Sequence, residues 1–289
     1  MEVKDMIFDL KNVNAPSFAQ PLKQHVNKSM NRKKLIIVGS SGKGGTGKTT
    51  ISVNLALFYN SLGHSVVLCD FDTPYGDVAS MLQVSDDRNI ATWLKLPSEL
   101  PSNVINNLLI DTKEGLKVLP SIQRADEEQY VNNEMLAKKI IENLKEFDVV
   151  IVDAAPKFDF LTEEAYKQAT DIIMVSDPNL ISLNNIYRGI QYLKQKKVDV
   201  RNISLVVNKV QKKLGQSFEQ YRRITSIDNI YEIPYEAKMQ EWMNNGIIPM
   251  SNKKNSKMIR SLIEIADDVY PTIQSYEQKS WRLFKWKKA

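Results

Sequence analysis

Apolar residues in this chain fall into short unbroken runs that alternate with longer helical stretches. Leu35–Gly39 (LIIVG) precedes the helical stretch Thr49–Gly63. Ser65–Asp72 (SVVLCDFD) precedes a short helix near Asp77–Leu82. Leu116–Pro120 (LKVLP) is followed by a helix within Glu127–Phe147, and Asp148–Asp153 (DVVIVD) by one near Thr162–Ala169. Asp171–Asp177 (DIIMVSD) leads into a helix over Leu180–Lys196; Ile203–Asn208 (ISLVVN) is a further strand, and Ile233-Pro234-Tyr235 closes a short one. A strand with one wet face alternates apolar and polar residues, and these runs do not. Continuous β-branched runs suit parallel strands covered on both sides. The predicted class is α/β: three layers, a mostly parallel sheet with helices on both faces. Residues 1–33, with Pro16 and Pro21, lack periodicity and read as a partly disordered extension. Residues 34–270 read as one domain and 271–289 as a tail, with Pro271 breaking a helix that starts near Lys257. Asp86–Thr112, which holds Pro97 and Pro101, reads as a loop with a short helix.

The candidate chemistry sits at the ends of these runs. Gly42-Lys43-Gly44-Gly45-Thr46-Gly47-Lys48-Thr49 fits the phosphate-loop pattern, with a strand before it and, from Thr50, a helix after it. Glycines allow tight turns that aim backbone N–H groups at phosphates, and the helix dipole adds to the attraction. Lys48 is expected to reach the β- and γ-phosphates, and the Thr49 hydroxyl to ligate Mg²⁺. Asp70 and Asp72 end the second run two residues apart, so they project to one side if both lie in the strand. Ligands of open α/β sheets bind beyond that end, which points both acids at the γ-phosphate; the alternative is that one caps the helix after Pro74. Asp153 ends the run Val149–Val152, either as an acid holding a magnesium-bound water or as a plain strand terminator. A guanine-specific site would need an aspartate where Gln211 stands, so the nucleotide is expected to be ATP.

The run KGGTGKT resembles the deviant Walker A motif of the MinD/ParA superfamily of P-loop NTPases. That resemblance implies ATP and Mg²⁺ as cofactors and an ATP-sandwiched homodimer in which Lys43 crosses to the partner's nucleotide. It implies that Asp72 orients the attacking water, that Asp70 lies nearer the magnesium shell, and that Asp153 is the Walker B acid. Asn208 matches the adenine contact, its amide serving adenine N6 and N7. Pro234 and Tyr235 fall in the second adenine-side segment, with simple packing the alternative for Tyr235. The segments DFDTPYGDVASML, GLKVLPSIQRADEEQ, DIIMVSDPNLISLNNIYRGI and IPYEAKMQEWMNNGIIPM look most like CpaE/TadZ-type pilus-assembly ATPases. Such proteins commonly carry a receiver-like N-terminal domain, for which the 33 residues before the first strand are too few. The implied function is a switch ATPase, slow alone, that positions or regulates a membrane-associated assembly such as pilus or secretion machinery. An unidentified protein partner is expected to dock near Tyr75–Gly76, Lys157–Phe160 and the head. A ParA-type DNA-partitioning ATPase is the alternative. A related bacterial tyrosine kinase would end in a tyrosine cluster, where only Tyr270 and Tyr276 occur.

Composition narrows this further. A 43% apolar content supports a sizeable core, and the single cysteine, Cys69, excludes a disulfide framework, a Cys-rich zinc site and a chain-held iron–sulfur cluster. That usage fits a reducing cytoplasm. No run approaches the roughly 18 apolar residues of a membrane span, and the N-terminus lacks a signal-peptide core. The net charge of +5 is carried by the ends. Five basic residues and no acid occupy Lys279–Ala289, seven basic residues against three acids occupy Met1–Lys34, and the body between is slightly acidic. The ends, not the body, are therefore the anion-seeking parts. In the tail, Ile273, Tyr276, Trp281, Leu283 and Phe284 share one helical face among the cations, as in an interfacial helix on anionic lipid. Docking on the domain itself or on nucleic acid are the other readings of that tail.

Overall fold

The computed structural model describes residues 33–40, 42–211, 218–252 and 256–271. The expectations for the head and for the tail Lys279–Ala289 lie outside these residues. The sheet has eight strands: β1 (Lys34–Gly39), β2 (Val66–Phe71), β3 (Ile110–Asp111), β4 (Lys117–Leu119), β5 (Val149–Ala154), β6 (Asp171–Ser176), β7 (Ile203–Val210) and β8 (Asn229–Pro234). Their spatial order is β3-β4-β2-β5-β1-β6-β7-β8. All pairs are parallel except the edge pair β3–β4. The predicted α/β class is observed.

The unbroken apolar runs have a direct structural cause. Successive strand residues point to opposite faces, and both faces are covered. Ile37, Val67, Cys69, Val152 and Leu205 enter one core with α5 (Glu134–Asn143), α6 (Phe160–Gln168) and α7 (Leu180–Gln195). The alternate residues Ile36, Val38, Leu68 and Ile151 are fully buried too. On that side α1 (Lys48–Ser61) meets α10 (Lys257–Val269), and the Tyr59 hydroxyl donates to the Ala266 carbonyl at 2.9 Å. Three helix starts, those of α5, α6 and α7, are set by side-chain caps. Asn133 accepts from the N–H of Met135 at 2.8 Å, Asp159 from Thr162 at 2.9 Å and Asn179 from Ser182 at 2.9 Å. Each such cap stabilises by about 1 kcal/mol. Among the described residues no helix is long and apolar enough to cross a membrane.

Local departures from the pattern follow from the same chemistry. The helix expected within Glu127–Phe147 splits into α4 (Glu128–Val131) and α5, because Asn133 caps a new start. The Asp86–Thr112 segment is richer than a loop with one helix. It holds a 3₁₀ turn (Ile90–Lys95), α3 (Ser102–Leu108) and the two-residue β3, too short to show a period. Alongside α2 (Val78–Leu82), which was expected, α8 (Phe218–Thr225) and α9 (Met239–Asn244) were not.

Tyr166 in α6 closes the space under the end of β1. A Cβ on Gly39 would sit 1.7 Å from its hydroxyl oxygen, which is buried and has no hydrogen-bond partner. Tyr166→Phe is expected to leave stability unchanged or raise it by about 1 kcal/mol. Gly39→Ala is expected to lower it by about 1–3 kcal/mol. The double variant should recover part of that loss, as read from urea-unfolding midpoints.

Candidate functional site

The loop after β1 and the first turn of α1 lie between the ends of β2, β5, β6 and β7. Gly47, the residue before α1, has φ 98°, a left-handed conformation that disfavours any side chain. A Cβ there would also meet the Asn208 amide nitrogen at 2.3 Å. The loop is braced from outside. Gly42 N–H donates to the Pro156 carbonyl beyond β5 at 2.7 Å. The Asn208 amide, in β7, donates to the Thr46 carbonyl at 2.8 Å, and the Lys209 ammonium donates to the Gly45 carbonyl. The Thr46 hydroxyl is buried without a hydrogen-bond partner, an orphaned polar group inside the loop.

Acids and one lysine converge at the start of α1. Thr49 Oγ1 donates to Asp153 Oδ2 at 2.6 Å, and Ser52 Oγ donates to Asp153 Oδ1 at 2.9 Å. Lys48 is buried, with Nζ 3.4 Å from Asp72 Oδ2. Burial pushes the Asp153 carboxyl up to about 6, against the pull of the Lys48 charge and of both hydroxyls. Burial also raises Asp72, with Lys48 opposing. Neighbouring carboxylates whose ionised forms are disfavoured by burial favour a bound cation. A hydroxyl, a carboxylate and nucleotide phosphates are the oxygen ligands Mg²⁺ takes, so Thr49 and Asp153 fit that ion.

The two acids of β2 part company. The strand ends at Phe71, so Asp72 lies beyond it and is free to turn toward Lys48. Asp70 remains inside the strand and is fully buried. It accepts from the N–H of Asp72 at 3.1 Å and of Val78 at 3.0 Å. Burial, and then the Asp153 charge, hold its carboxyl well above the usual range. Asp72 thus meets Lys48 of the phosphate loop, while Asp70, in register with Asp153, is held by the backbone of the loop before α2 and of that helix's first residue.

A cleft of about 550 Å³ runs from Gly44, Lys48, Thr49, Thr50 and Asp72 past Asn208 to Pro234 and Tyr235. That volume suits a small-molecule ligand. Met239, Met243 and Met258 also line it, and the strand-and-loop reading of the sequence missed them. Ser52 was missed as well, although it lies one turn beyond Thr49, at the helical spacing that puts both on Asp153. Asp177, whose carboxylate meets Lys43 at 2.5 Å, was read only as a strand end.

An AAA domain family model (AAA_31) matches residues 34–207. The septum site-determining protein MinD of Synechocystis sp. is 30% identical over 207 residues, 71% of this chain and 73% of that protein. The chain belongs to the MinD/ParA superfamily of ATPases. Solved structures of this superfamily share its fold. The ParA family ATPase from Chlorobium tepidum TLS gives a TM-score of 0.71 at 20% identity, over 81% of this chain and 98% of that one. MinD from Pyrococcus horikoshii OT3, complexed with Mg-ADP, gives 0.69 at 21% identity, over 81% and 95%.

Asp153 carries a stability signature. A carboxyl whose folded pKa is raised binds its proton more tightly when folded, so the stability it contributes at low pH is lost as pH rises through about 6. Nucleotide-free Asp153→Asn should therefore melt above wild type at neutral pH. The gap should shrink as pH falls toward about 4, the unfolded carboxyl value. Thermal scans across that range check it.

Proposed function

We propose that this protein is an ATP-dependent dimerising switch ATPase of MinD type. One observation carries the reading: a single cleft joins the loop lysine Lys48, the hydroxyl Thr49 and the acid Asp72 to the strand ends at Asn208 and Pro234–Tyr235. In this reading the loop from Gly42 to Thr50 and Lys48 bind the phosphates of ATP. Magnesium, held by Thr49 and by Asp153 through water, would neutralise phosphate charge. Asp72 orients the attacking water, and its 3.4 Å approach to Lys48 supports that placement. Asn208, Pro234 and Tyr235 border the base, and Gln211 in place of an aspartate favours adenine over guanine. Lys43 reaches the nucleotide of a second copy, adding a cation where charge develops in phosphoryl transfer.

The switch serves to place or regulate an assembly at the cytoplasmic face of a membrane. Tyr75, which lines the cleft, and Phe160, at the start of α6, are 77% and 61% exposed, which supports docking of a protein partner on those segments. The basic, aromatic tail Lys279–Ala289 is the membrane contact in this reading, tightened when a dimer presents two copies. The pilus-assembly role of CpaE/TadZ-type proteins rests on the sequence segments alone. ParA-type DNA partitioning is the second reading, favoured by the likeness to a ParA family structure and opposed by the slightly acidic body.

Lys48→Ala should lose ATP binding by at least about tenfold, the scale of one lost charged contact. Asp72→Ala should bind ATP and remain dimeric, with hydrolysis lowered by about 10²-fold or more. Sizing with light scattering and a phosphate-release assay read these out. A monomeric, ATP-insensitive Asp72→Ala protein would sink the scheme. ATP-dependent sedimentation with anionic liposomes, lost on removing Lys279–Ala289, supports the membrane reading; salt-sensitive DNA binding supports partitioning.

A further inference from the structure

Lys43 stands at the rim of the phosphate loop with its side chain 44% exposed, yet its ammonium group is already engaged. Nζ lies 2.5 Å from Asp177 Oδ2, on a side chain only 14% exposed. The other carboxylate oxygen, Oδ1, lies 3.5 Å from the Lys209 ammonium, which also donates to the Gly45 carbonyl. Asp177 is fixed where β6 ends. Its carbonyl accepts from the Asn179 N–H at 2.8 Å and from the Ser176 hydroxyl at 2.9 Å. One carboxylate thus gathers two lysines, one from the phosphate loop and one from β7, against the mouth of the nucleotide cleft. Lys209 makes a second contact with the loop itself, whereas the only hydrogen bond of the Lys43 side chain among the described residues is to Asp177.

We propose that Asp177 is a positioning residue for Lys43: an intrasubunit latch that holds this lysine on its own subunit until a second, ATP-loaded copy docks. The inference rests on the dimer reading, which gives Lys43 a target across the interface. In the free chain the Lys43 ammonium is satisfied by its own carboxylate, so association must first break that pair. A triphosphate carries several negative charges against one on Asp177, so the exchange favours the nucleotide once it comes within a few ångströms. Before that point the latch opposes association, and it lowers the population of subunits whose Lys43 is free. Lys209 keeps Asp177 oriented by occupying its other oxygen, so the carboxylate is aimed at Lys43 in the resting chain.

The test compares full-length wild type, Asp177→Asn and Asp177→Glu. Without nucleotide, Lys43 is labelled with an amine-reactive reagent and followed by peptide mass spectrometry. Lys113, 76% exposed, serves as the internal standard. Asp177→Asn should raise Lys43 labelling, and Asp177→Glu should restore it toward wild type. With ATP, Asp177→Asn should dimerise at about two- to fivefold lower protein concentration in sedimentation, the scale of one partly exposed ion pair. Unchanged labelling of Lys43 in Asp177→Asn overturns the latch, as does weaker dimerisation of that variant. If wild type stays monomeric in ATP, the dimer reading itself fails, while the labelling separately decides whether Asp177 holds Lys43.

Discussion

Asp153 has no contact with solvent, and its two hydrogen bonds fasten the first turn of α1 to the end of β5. A buried carboxylate must be paired or hydrogen-bonded, because an uncompensated charge costs several kcal/mol. Thr49 and Ser52 meet that need, and they lie on one helix face because they are three residues apart. The start of α1 is thereby held against the sheet. The preceding loop must then turn back sharply from β1, which Gly47 permits through its left-handed backbone. Lys48 is drawn inward by the same geometry and finds Asp72.

The rest of the site follows from which strands lie beside β1. Because β5 and β6 flank it, the chain segments after those strands reach the phosphate loop from both sides. Pro156 beyond β5 accepts from Gly42, and Asp177 beyond β6 accepts from Lys43. One strand further out, β7 supplies Asn208 and Lys209, which hold Thr46 and Gly45 by their carbonyls. The loop is therefore braced by segments that are distant in sequence and adjacent at one edge of the sheet. This bracing leaves Gly44, Gly45, Gly47 and Lys48 lining the cleft, while the Thr46 hydroxyl stays buried without a hydrogen-bond partner.

Much of the fold was legible because burial writes its period into the chain. The central positions of β1, β2, β5 and β6 are apolar without alternation since both faces are covered, with polar residues confined to Lys34, Asp70, Asp153, Asp171 and Ser176 toward the strand ends, and each run was read at nearly its true length. Several short elements were not legible, although the five-residue α2 and three-residue β4 were. β3 has two residues, α4 one turn, and α9 six residues, too few for a helical or strand period to register. The split between α4 and α5 depends on Asn133, whose cap is a local signal that a longer apolar period masked.

The sequence by itself determined the α/β layering, the order of the longer strands and helices, and the phosphate-loop pattern with its flanking strand and helix, because each depends on residues close together along the chain. Only the tertiary structure decided what each polar side chain touches. Asp70 and Asp72 are two residues apart and share a sequence environment, yet a strand that ends at Phe71 sends one to backbone N–H groups and the other to Lys48. Lys43 and Asp177 are separated by 134 positions, and no local period relates them. They meet because β6 pairs beside β1, and that pairing is settled by the packing of whole strands.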